Sequence, residues 1–501
     1  MSTTVISTTV SESRSVPRIW LEGQRLAHAG VNIGVQYILN VSTQLRRIEL
    51  RPAPQGFAGK TYSVSKRTRN ERVYPLLELR DALIADLFAV GTKLRVAVQK
   101  GRIIISPSHI AMRIQERVTR FLDKLKNGTP LSVASLFHGG GVLDKALHQG
   151  MQRSKLASYV KIAVELEGDY IDSSLRNNPE LFRDDTIVIN GDVREINILG
   201  NGVPQIDMLV GGVPCTGASR AGAAKNGLTC AEEHDTAGTL FFDFLEWVKV
   251  TNPVMVVLEN VIEYMKTAAM TVIRSVLSNL GYDLSEAVLD GPSFGSLEKR
   301  KRMCMVATTP GVCGPVDFEQ LVPVRQKEAR LADVLEVIPA DSDRWKAYGY
   351  LAEKEQRDIA NGKGFVRQLL TGEEDGCGTI GRGYAKARST EPFIVAPHDP
   401  SLSRLMTERE HARVKTIPES LIEGLSATTA HEVLGQSVIF SVFVAVGELI
   451  AKTVKGLVAP LGKRNATKNE AKPASAEQPT RVAAPQTNNA PATLPLFALT
   501  A

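Results

Sequence analysis

Cysteine is scarce in this sequence, and its spacing argues against two kinds of site. The five cysteines are Cys215, Cys230, Cys304, Cys313 and Cys377, and no two of them form a Cys-x-x-Cys pair. Their odd number and wide separation disfavour a disulfide framework and a zinc site. A reducing cytoplasm suits such cysteines because a reactive thiol stays available there. We therefore expect a cytoplasmic protein without a bound metal.

Long apolar runs are also missing. No stretch of roughly 18 or more residues is continuously apolar, so the sequence predicts no membrane span. The N-terminus lacks a basic start followed by an apolar block, so we expect no secretory signal. A hydrophobic content of 43% and a charged content of 23% are typical of globular proteins, and 501 residues predict more than one domain.

The charges that are present are unevenly distributed. Residues 1–130 contain 21 Lys/Arg against 9 Asp/Glu, residues 131–451 contain 32 against 43, and residues 452–501 contain 7 against 2. Basic flanks around an acidic middle suggest that the flanks attract a polyanion such as nucleic acid. Merely solvated surface charge is the alternative, and composition does not separate the two.

The N-terminal region has a weak internal repeat. Residues 19–50 match residues 76–105 at an offset of 57, and each copy predicts a strand, a short helical turn, a glycine and two strands. The pattern over residues 17–106 is similar to SymE/AbrB-like swapped-hairpin modules, a resemblance that implies a small β-rich domain that binds nucleic acid. The Ser/Thr-rich residues 1–16 predict a disordered segment. Basic residues between the copies are candidate phosphate contacts: Lys60, Lys66, Arg67, Arg69 and Arg72.

The rest of the chain predicts an α/β domain and a tail. An amphipathic helix from Ser108 to Lys126 fills a linker over residues 107–130. Between residues 131 and 308 short apolar strands alternate with helical patterns, which predicts a mainly parallel, Rossmann-like sheet with helices on both faces. Residues 455–501 are rich in Ala, Pro, Thr and Asn, a composition typical of a disordered tail.

A Pro-Cys pair follows the fourth strand of this pattern. Cys215 lies on a Gly-rich turn after Ile206–Val210, where it is placed for attack rather than for packing, although a buried structural cysteine is commoner. Other chemical groups end neighbouring strands. They are the glycines of residues 139–141, Glu165, Asp192 and Glu259, followed by Arg300 and Arg302.

Taken in this order, these segments resemble the DNA (cytosine-5) methyltransferases over residues 131–308 and about 402–452. The resemblance implies S-adenosylmethionine as methyl donor and duplex DNA as substrate. It also implies that Cys215 attacks carbon 6 of a flipped cytosine, that Glu259 holds the ring nitrogen 3 edge, and that Arg302 reaches the carbonyl oxygen at position 2. Arg300 would support the loop.

The resemblance also implies the remaining binding residues. The expected cofactor residues are Phe137, Gly139, Gly141, Glu165, Asp192, Val193, Pro214, Leu240 and Ser437. The expected DNA contacts are Ser219, Arg220, Arg382 and Tyr384, the last two in a target-recognition region over residues 309–403. Residues 404–454 would pack back on the catalytic domain, and we expect a monomer on DNA.

Several positions depart from the usual family pattern. Ser135 and His138 replace Asp and Ala, and Leu166 replaces an aromatic residue. Glu298 replaces Gln, which introduces a charge, while Thr216 and Gln436 also differ. The departures leave two alternatives open: an RNA cytosine-5 methyltransferase of the same fold, and a DNA-binding regulator with a decayed catalytic domain. The dedicated recognition segment favours DNA over RNA.

The end of the chain contains a short apolar peptide, Thr493-Leu494-Pro495-Leu496-Phe497. Three apolar residues within a polar tail are typical of a docking peptide. The peptide is similar to the Gln-Leu-x-Leu-Phe peptides that bind bacterial sliding clamps, except that Thr493 replaces Gln. Leu494, Leu496 and Phe497 are therefore predicted to contact a clamp.

Overall fold

A computed structural model describes residues 3–199, 202–214, 238–312, 314–362 and 366–466. The chain divides into two compact units, Met1–Leu457 and Val458–Ala501. The first of these units contains two antiparallel N-terminal sheets, a connecting helix, a seven-stranded sheet with its helices, and a small C-terminal sheet.

The N-terminal region is β-rich, as predicted. Its elements are β1 (Thr4–Thr9), β2 (Ser11–Ser13), β3 (Val16–Glu22), α1 (Gln24–His28), β4 (Gln36–Ser42), β5 (Arg47–Pro52), β6 (Tyr62–Ser63), β7 (Ser65–Arg69), β8 (Arg72–Arg80), α2 (Leu83–Leu87), β9 (Lys93–Gln99) and β10 (Arg102–Pro107). They form a six-stranded sheet, β1-β9-β10-β5-β4-β6, and a four-stranded sheet, β2-β3-β8-β7. Both sheets share one apolar core.

The repeat is present as β3-α1-β4-β5 and β8-α2-β9-β10. Gly34 and Gly91 occupy equivalent positions with φ of 88° and 89°, a conformation that favours glycine. The copies pair about a local two-fold axis. Leu21 lies opposite Leu77 in the β3–β8 ladder, and the equivalent residues Ile48 and Ile105 lie opposite each other in the β5–β10 ladder. Each copy therefore buries the apolar face of the other.

The prediction of disorder over residues 1–16 is wrong for the described part of that segment. β1 pairs with β9 from Thr4 to Thr9, and Ile6 and Val10 are buried. β2 and β3 form a hairpin whose two-residue turn has positive φ at Arg14 and Ser15. Threonine and β-branched residues fit a pleated, half-buried strand, so this composition is compatible with a paired edge as well as with disorder.

The predicted linker helix is confirmed as α3 (His109–Lys126), with Ser108 capping its N-terminus. Phe121 is buried in the core of the α/β domain that follows. Its basic side chains are docked rather than free. Arg117 donates to the Leu280 carbonyl at 2.7 Å, and Arg120 donates to the Ile206 and Asn252 carbonyls at 2.7 and 2.8 Å. The helix thus fastens the N-terminal region to the amino-terminal edge of the next sheet.

That next sheet has the predicted α/β architecture. Its elements are β11 (Leu131–Leu136), α4 (Val142–Arg153), β12 (Ser158–Glu165), α5 (Gly168–Asn177), β13 (Ile187–Asn190), β14 (Met208–Gly211), α6 (Leu240–Thr251), β15 (Met255–Asn260), α7 (Ala268–Asn279), β16 (Asp283–Asp290) and β17 (Lys301–Thr308). The order is β13-β12-β11-β14-β15-β17-β16, and only the pairings of β17 are antiparallel. Alternate residues of β15 enter two apolar clusters, so both faces of the sheet are covered.

The C-terminal part adds a small sheet and returns to the large one. Its elements are α8 (Gly349–Ala360), β18 (Gln368–Leu370), β19 (Pro392–Ala396), β20 (Asp399–Arg404), α9 (Glu408–Val414), α10 (Ala427–Gln436) and α11 (Phe440–Ala466). The start of α11 packs closely on α4, because a Cβ at Gly150 would overlap the Val444 carbonyl oxygen. The prediction that disorder starts at residue 455 is wrong, since α11 continues to Ala466; residues 467–501 lie outside the described part.

No single described helix is long and apolar enough to cross a membrane. The helices Ala427–Gln436 and Phe440–Val454, bent by 46°, meet the length and composition criterion only as a pair. Many side chains of this pair, including Leu434, Phe443 and Leu449, are buried in the core beside the seven-stranded sheet.

Candidate active site at the carboxyl edge of the sheet

The carboxyl ends of the parallel strands lie side by side. Leu136 of β11 is opposite Val164 of β12 and Gly211 of β14, and Gly211 is in turn opposite Leu258 of β15. The residues that follow these positions therefore share one edge of the sheet. In open α/β sheets this edge is where ligands bind.

The Gly-rich turn after β11 is fixed by a buried polar network. Phe137, Gly139 and Gly141 have φ of 58°, 58° and 77°. The His138 ring lies 3.0 Å from the Ser135 hydroxyl and 2.8 Å from a second hydroxyl on α5, while Ser135 donates to Asp144 at 2.6 Å. Ser135 and His138, which depart from the family pattern, thus stabilise the turn through buried hydrogen bonds.

Glu165 and Asp192 end the next two strands. Glu165 accepts hydrogen bonds from the backbone N–H groups of Gly139 (2.6 Å) and Glu167 (2.9 Å). Each carboxylate oxygen has a second lone pair, so Glu165 can still accept bonds from hydroxyl groups. The guanidinium of Arg194 holds the pKa of Asp192 below its usual value.

Apolar surface accompanies these carboxylates. Leu166 and Phe242 expose 62% and 58% of their surface, although both are large apolar residues. Val193 and Leu240, two predicted cofactor residues, are instead buried in the core. Exposed apolar side chains beside hydrogen-bond acceptors fit a nucleoside, which has an aromatic base and hydroxyl groups.

The helix α10 closes the other side of the turn. A Cβ at Gly140 would lie 2.6 Å from the Val433 side chain, so α10 touches the Gly-rich turn. Ser437, the predicted residue near the methionine end of the cofactor, follows α10 directly and donates to the Leu434 carbonyl at 2.7 Å.

Glu259 and Arg302 meet at the end of β15. The Nε of Arg302 lies 3.1 Å from the Glu259 carboxylate. The Asn260 side chain donates to the Val213 carbonyl at 2.9 Å, and a Cβ at Gly212 would lie 3.4 Å from the same carboxylate. Glu259 therefore lies beside the segment that ends at Pro214. Cys215, Ser219 and Arg220 fall outside the described residues.

Burial changes the acidity of the groups at this edge. It raises the pKa of Glu259, and the nearby positive charge of Arg302 only partly opposes that shift. Cys304 lies opposite Glu259 in the β15–β17 ladder and is fully buried, which raises the pKa of its thiol well above the usual value. Cys304 is therefore a core residue.

Glu298, the charged departure from the family pattern, is fully buried and faces two cations. Its carboxylate lies 2.9 Å from the Lys415 ammonium and 3.3 Å from the Arg300 guanidinium, and it accepts from the backbone N–H of Ile380 at 3.1 Å. The introduced charge is therefore balanced inside the protein. No local sequence pattern indicates Lys415, because the pair joins residues that are distant along the chain.

The two predicted DNA contacts in the recognition region differ in exposure. Tyr384 is fully buried, donates to the Pro392 carbonyl at 2.8 Å and accepts from the Met406 N–H at 2.8 Å. Its prediction as a DNA contact is wrong, because the hydroxyl is already used inside a folded core. Arg382 is exposed, lies over the Tyr170 ring and pairs with Glu167 at 3.2 Å.

The chain has clear relatives. Residues 131–452 match the model of the family described as C-5 cytosine-specific DNA methylase. The chain is 29% identical over 276 residues to Type II methyltransferase M1.ScrFI of Lactococcus lactis subsp. cremoris, covering 53% of this chain and 67% of that protein. It is 31% identical over 266 residues to Type II methyltransferase M.NlaX of Neisseria lactamica, covering 52% of this chain and 79% of that protein.

A solved structure described as S. pombe Dnmt2 methyltransferase covers 66% of this chain and 99% of its own, with a TM-score of 0.49 and 18% identity. The family match spans more than half of this chain, and it confirms the resemblance inferred from the motifs. The chain belongs to the C-5 cytosine-specific DNA methylases, enzymes that use S-adenosylmethionine to methylate cytosine in DNA.

Proposed function

We propose that the protein methylates cytosine within a short site of duplex DNA through a covalent adduct on Cys215. The observation that carries the proposal is the Glu259–Arg302 pair, 3.1 Å apart, beside the backbone of Gly212, which precedes Cys215 by three residues. A buried carboxyl group and a guanidinium at one strand end can hold the polar edge of a cytosine.

The proposed reaction uses each of these groups once. The Cys215 thiolate adds to carbon 6 of the flipped cytosine, while Glu259 donates a proton or hydrogen bond to nitrogen 3 and Arg302 hydrogen-bonds the oxygen at position 2. The raised pKa of Glu259 supports its role as a donor. S-adenosylmethionine supplies the methyl group to carbon 5. Loss of the carbon 5 proton and expulsion of the thiolate then restore the aromatic ring.

The residues at the strand ends fit the cofactor. Glu165 would accept hydrogen bonds from the ribose, and the turn containing Gly139 and Gly141 would let the methionine end approach the backbone. Leu166 and Phe242 would cover the adenine in place of the aromatic residue common in the family. Asp192, Phe137, Pro214 and Ser437 would complete the site, with Val193 and Leu240 supporting it from the core.

The N-terminal region would contact the same duplex. The outer face of its four-stranded sheet carries Arg18, Arg67, Arg69, Arg72 and Arg80. Trp20 lies between two of them, since the guanidiniums of Arg18 and Arg67 stand 4.9 and 5.2 Å from its ring. Glu22 pairs with Arg67 and Arg69, so the face is partly neutralised but keeps an excess of positive charge.

Methyl transfer tests the proposal. The full chain and Cys215→Ser are incubated with labelled S-adenosylmethionine and either unmethylated duplex DNA or RNA. We expect label in DNA with the wild type only, and a covalent complex with DNA containing 5-fluorocytosine. Transfer to RNA alone would favour the RNA alternative, and no transfer to either would favour the regulator without catalysis.

The salt dependence of DNA binding tests the N-terminal face. Arg67→Ala together with Arg72→Ala should reduce the slope of log affinity against log salt by about one per lost phosphate contact. The matched control is Arg51→Ala together with Arg102→Ala, two arginines of the six-stranded sheet that pair with Glu49. Equal slopes for both double variants and the wild type would contradict a role of this face.

The clamp peptide is proposed on sequence alone, because Leu494, Leu496 and Phe497 lie outside the described residues. Leu496→Ala together with Phe497→Ala should abolish binding of the full chain to a purified bacterial sliding clamp. The double variant should remain a monomer on short DNA and should methylate it at the wild-type rate. Clamp binding that survives both substitutions would remove the idea.

A further inference from the structure

Glu298 lies at a junction of three segments. The N–H groups of Leu297 and Glu298 both donate to the Val414 carbonyl at 3.1 Å, at the end of α9. On the other side, the Cys377 N–H donates to the Leu297 carbonyl at 2.9 Å, and the Lys299 N–H donates to the Cys377 carbonyl at 2.8 Å. The junction therefore joins the start of β17 to the recognition region and to α9.

Buried charges fill the junction. Glu298 and Lys415 are fully buried, and Arg300 is 4% exposed. Arg300 also donates to the carbonyls of Ile380 (3.3 Å) and Gly435 (3.2 Å). Removing one member of a buried pair leaves a less compensated charge. Replacing both members with neutral groups can leave the free energy of unfolding nearly unchanged.

We propose that Glu298 and Lys415 form a positioning pair that aligns Arg300 and Arg302 with the recognition region. Lys415 is then the counter-charge that allows this chain to have a glutamate where the family pattern has a glutamine. The inference rests on the proposed role of Arg302 at the active site. Glu298 and Lys415 act through Arg300 and Arg302 and are assigned no contact with the substrate.

The connections show what the pair would align. Arg300 directly precedes β17 and lies two residues before Arg302, so a shift of one moves the other. Ile380 precedes the exposed Arg382 by two residues, and Gly435 precedes Ser437 by two residues. The junction thus lies within two residues along the chain of the expected base contact Arg302, the expected DNA contact Arg382 and the expected cofactor contact Ser437.

The test is a double-mutant cycle in the full chain with Glu298→Gln, Lys415→Gln and both together. We expect Glu298→Gln, which leaves Lys415 and Arg300 without a counter-charge, to lower kcat/KM for unmethylated duplex DNA by about 30-fold. Lys415→Gln leaves Glu298 paired with Arg300 and should lower it by about fivefold, and the double variant should lose less than Glu298→Gln alone. The matched control is the neighbouring exposed pair Lys299 and Asp375, 2.9 Å apart, whose cycle should show no coupling.

Two further measurements separate positioning from folding. Circular dichroism and thermal unfolding give the folded fraction, and all rates are expressed per folded molecule. We expect kcat to fall and the KM for DNA to rise in the single variants, while the Kd for S-adenosylmethionine changes by less than about threefold. Unchanged rates per folded molecule would overturn positioning and leave a structural role only.

The double variant tests whether Glu298 and Lys415 act as a pair. Additive losses in the double variant would overturn the pairing of Glu298 with Lys415. If a single variant does not fold, a folded and active double variant supports the pair, and an unfolded double variant overturns it. If the wild type transfers no methyl group, the proposed function fails, and the thermal unfolding cycle still tests whether the two residues are coupled.

Discussion

The two edges of the seven-stranded sheet have similar charged groups but use them differently. At the amino-terminal edge, the fully buried Asp207 accepts from the Ser132 N–H at 2.7 Å, the Ser132 hydroxyl at 2.8 Å and Lys124 at 2.5 Å. At the carboxyl edge, Glu259 meets Arg302, and burial raises its pKa. A carboxylate that is held by several hydrogen bonds and an ion pair serves structure, and one whose pKa is raised by burial can serve chemistry.

The same contrast holds for arginine. On α3, Arg117 and Arg120 donate to carbonyl groups that follow the ends of α7 and α6. Cations are stabilised at helix C-termini, so these contacts fasten the helix. Arg302, in contrast, lies 3.1 Å from Glu259, the proposed donor to the cytosine ring. The position of a residue relative to the strand ends therefore indicates its use better than its type does.

The largest effect is expected at the carboxyl edge. Glu259→Gln removes the acidic proton while keeping the size of the side chain. We expect kcat to fall by about 10³-fold, within the range for loss of a general acid, with unchanged binding of S-adenosylmethionine. Single-turnover methylation and calorimetry measure the two quantities. A variant that keeps more than a tenth of the wild-type rate would contradict a chemical role of Glu259 at the carboxyl edge.

At the opposite edge, Asp207→Ala should act on stability instead. It removes the acceptor for Lys124 and for two groups of Ser132, so we expect the free energy of unfolding to fall by about 3 kcal/mol. Urea unfolding at neutral pH measures the loss. The methylation rate per folded molecule should stay near that of the wild type, and a selective loss of kcat would contradict the assignment of this edge to structure.

Arg302→Gln sharpens the comparison within the carboxyl edge. It removes the charge beside Glu259 and the proposed contact to the cytosine oxygen, so we expect kcat to fall by about 10²-fold. Arg117→Gln on α3 is the matched control, since that arginine donates to the Leu280 carbonyl at the amino-terminal edge, away from Glu259. The comparison fails if the Arg117 variant, measured per folded molecule, loses as much rate as the Arg302 variant.

The smallest effect is a dependence of stability on pH. Burial raises the pKa of Glu259 in the folded state above its unfolded value. The folded state therefore retains the proton more strongly, and stability falls as the pH rises from the unfolded pKa, about 4.3, through the raised folded value. Glu259→Gln lacks this loss, so its stability relative to the wild type should increase with pH. A constant difference from pH 4 to 8 would show that the pKa is not raised.

Local sequence patterns predicted the carboxyl edge well. Short apolar strands separated by helices place Phe137, Glu165 and Glu259 at one edge, because parallel strands end together. The internal repeat was predictable for a similar reason, since both copies have the same spacing of apolar residues and a glycine at the equivalent positions 34 and 91. Each of these signals lies within a few residues of the group it predicts.

Long-range pairing was not predictable from such patterns. Lys415 meets Glu298 through the return of α9 to the sheet, and no local feature of either segment indicates the partner. The amphipathic pattern of α3 does not indicate that Arg117 is 1% exposed, with a guanidinium that donates to the Leu280 carbonyl after the end of α7. Tyr384 was misread for the same reason: its hydroxyl bonds backbone groups of neighbouring segments.

The local two-fold axis of the N-terminal region has a consequence for assembly. The two copies are parts of one chain, so their association has an effective concentration set by the connection between them and does not depend on dilution. The halves are also free to differ in sequence. Trp20 corresponds to Leu77 in the second copy, and Gly23 to Arg80. A symmetric scaffold can therefore present two unlike halves to an asymmetric partner, which an assembly of identical chains cannot do.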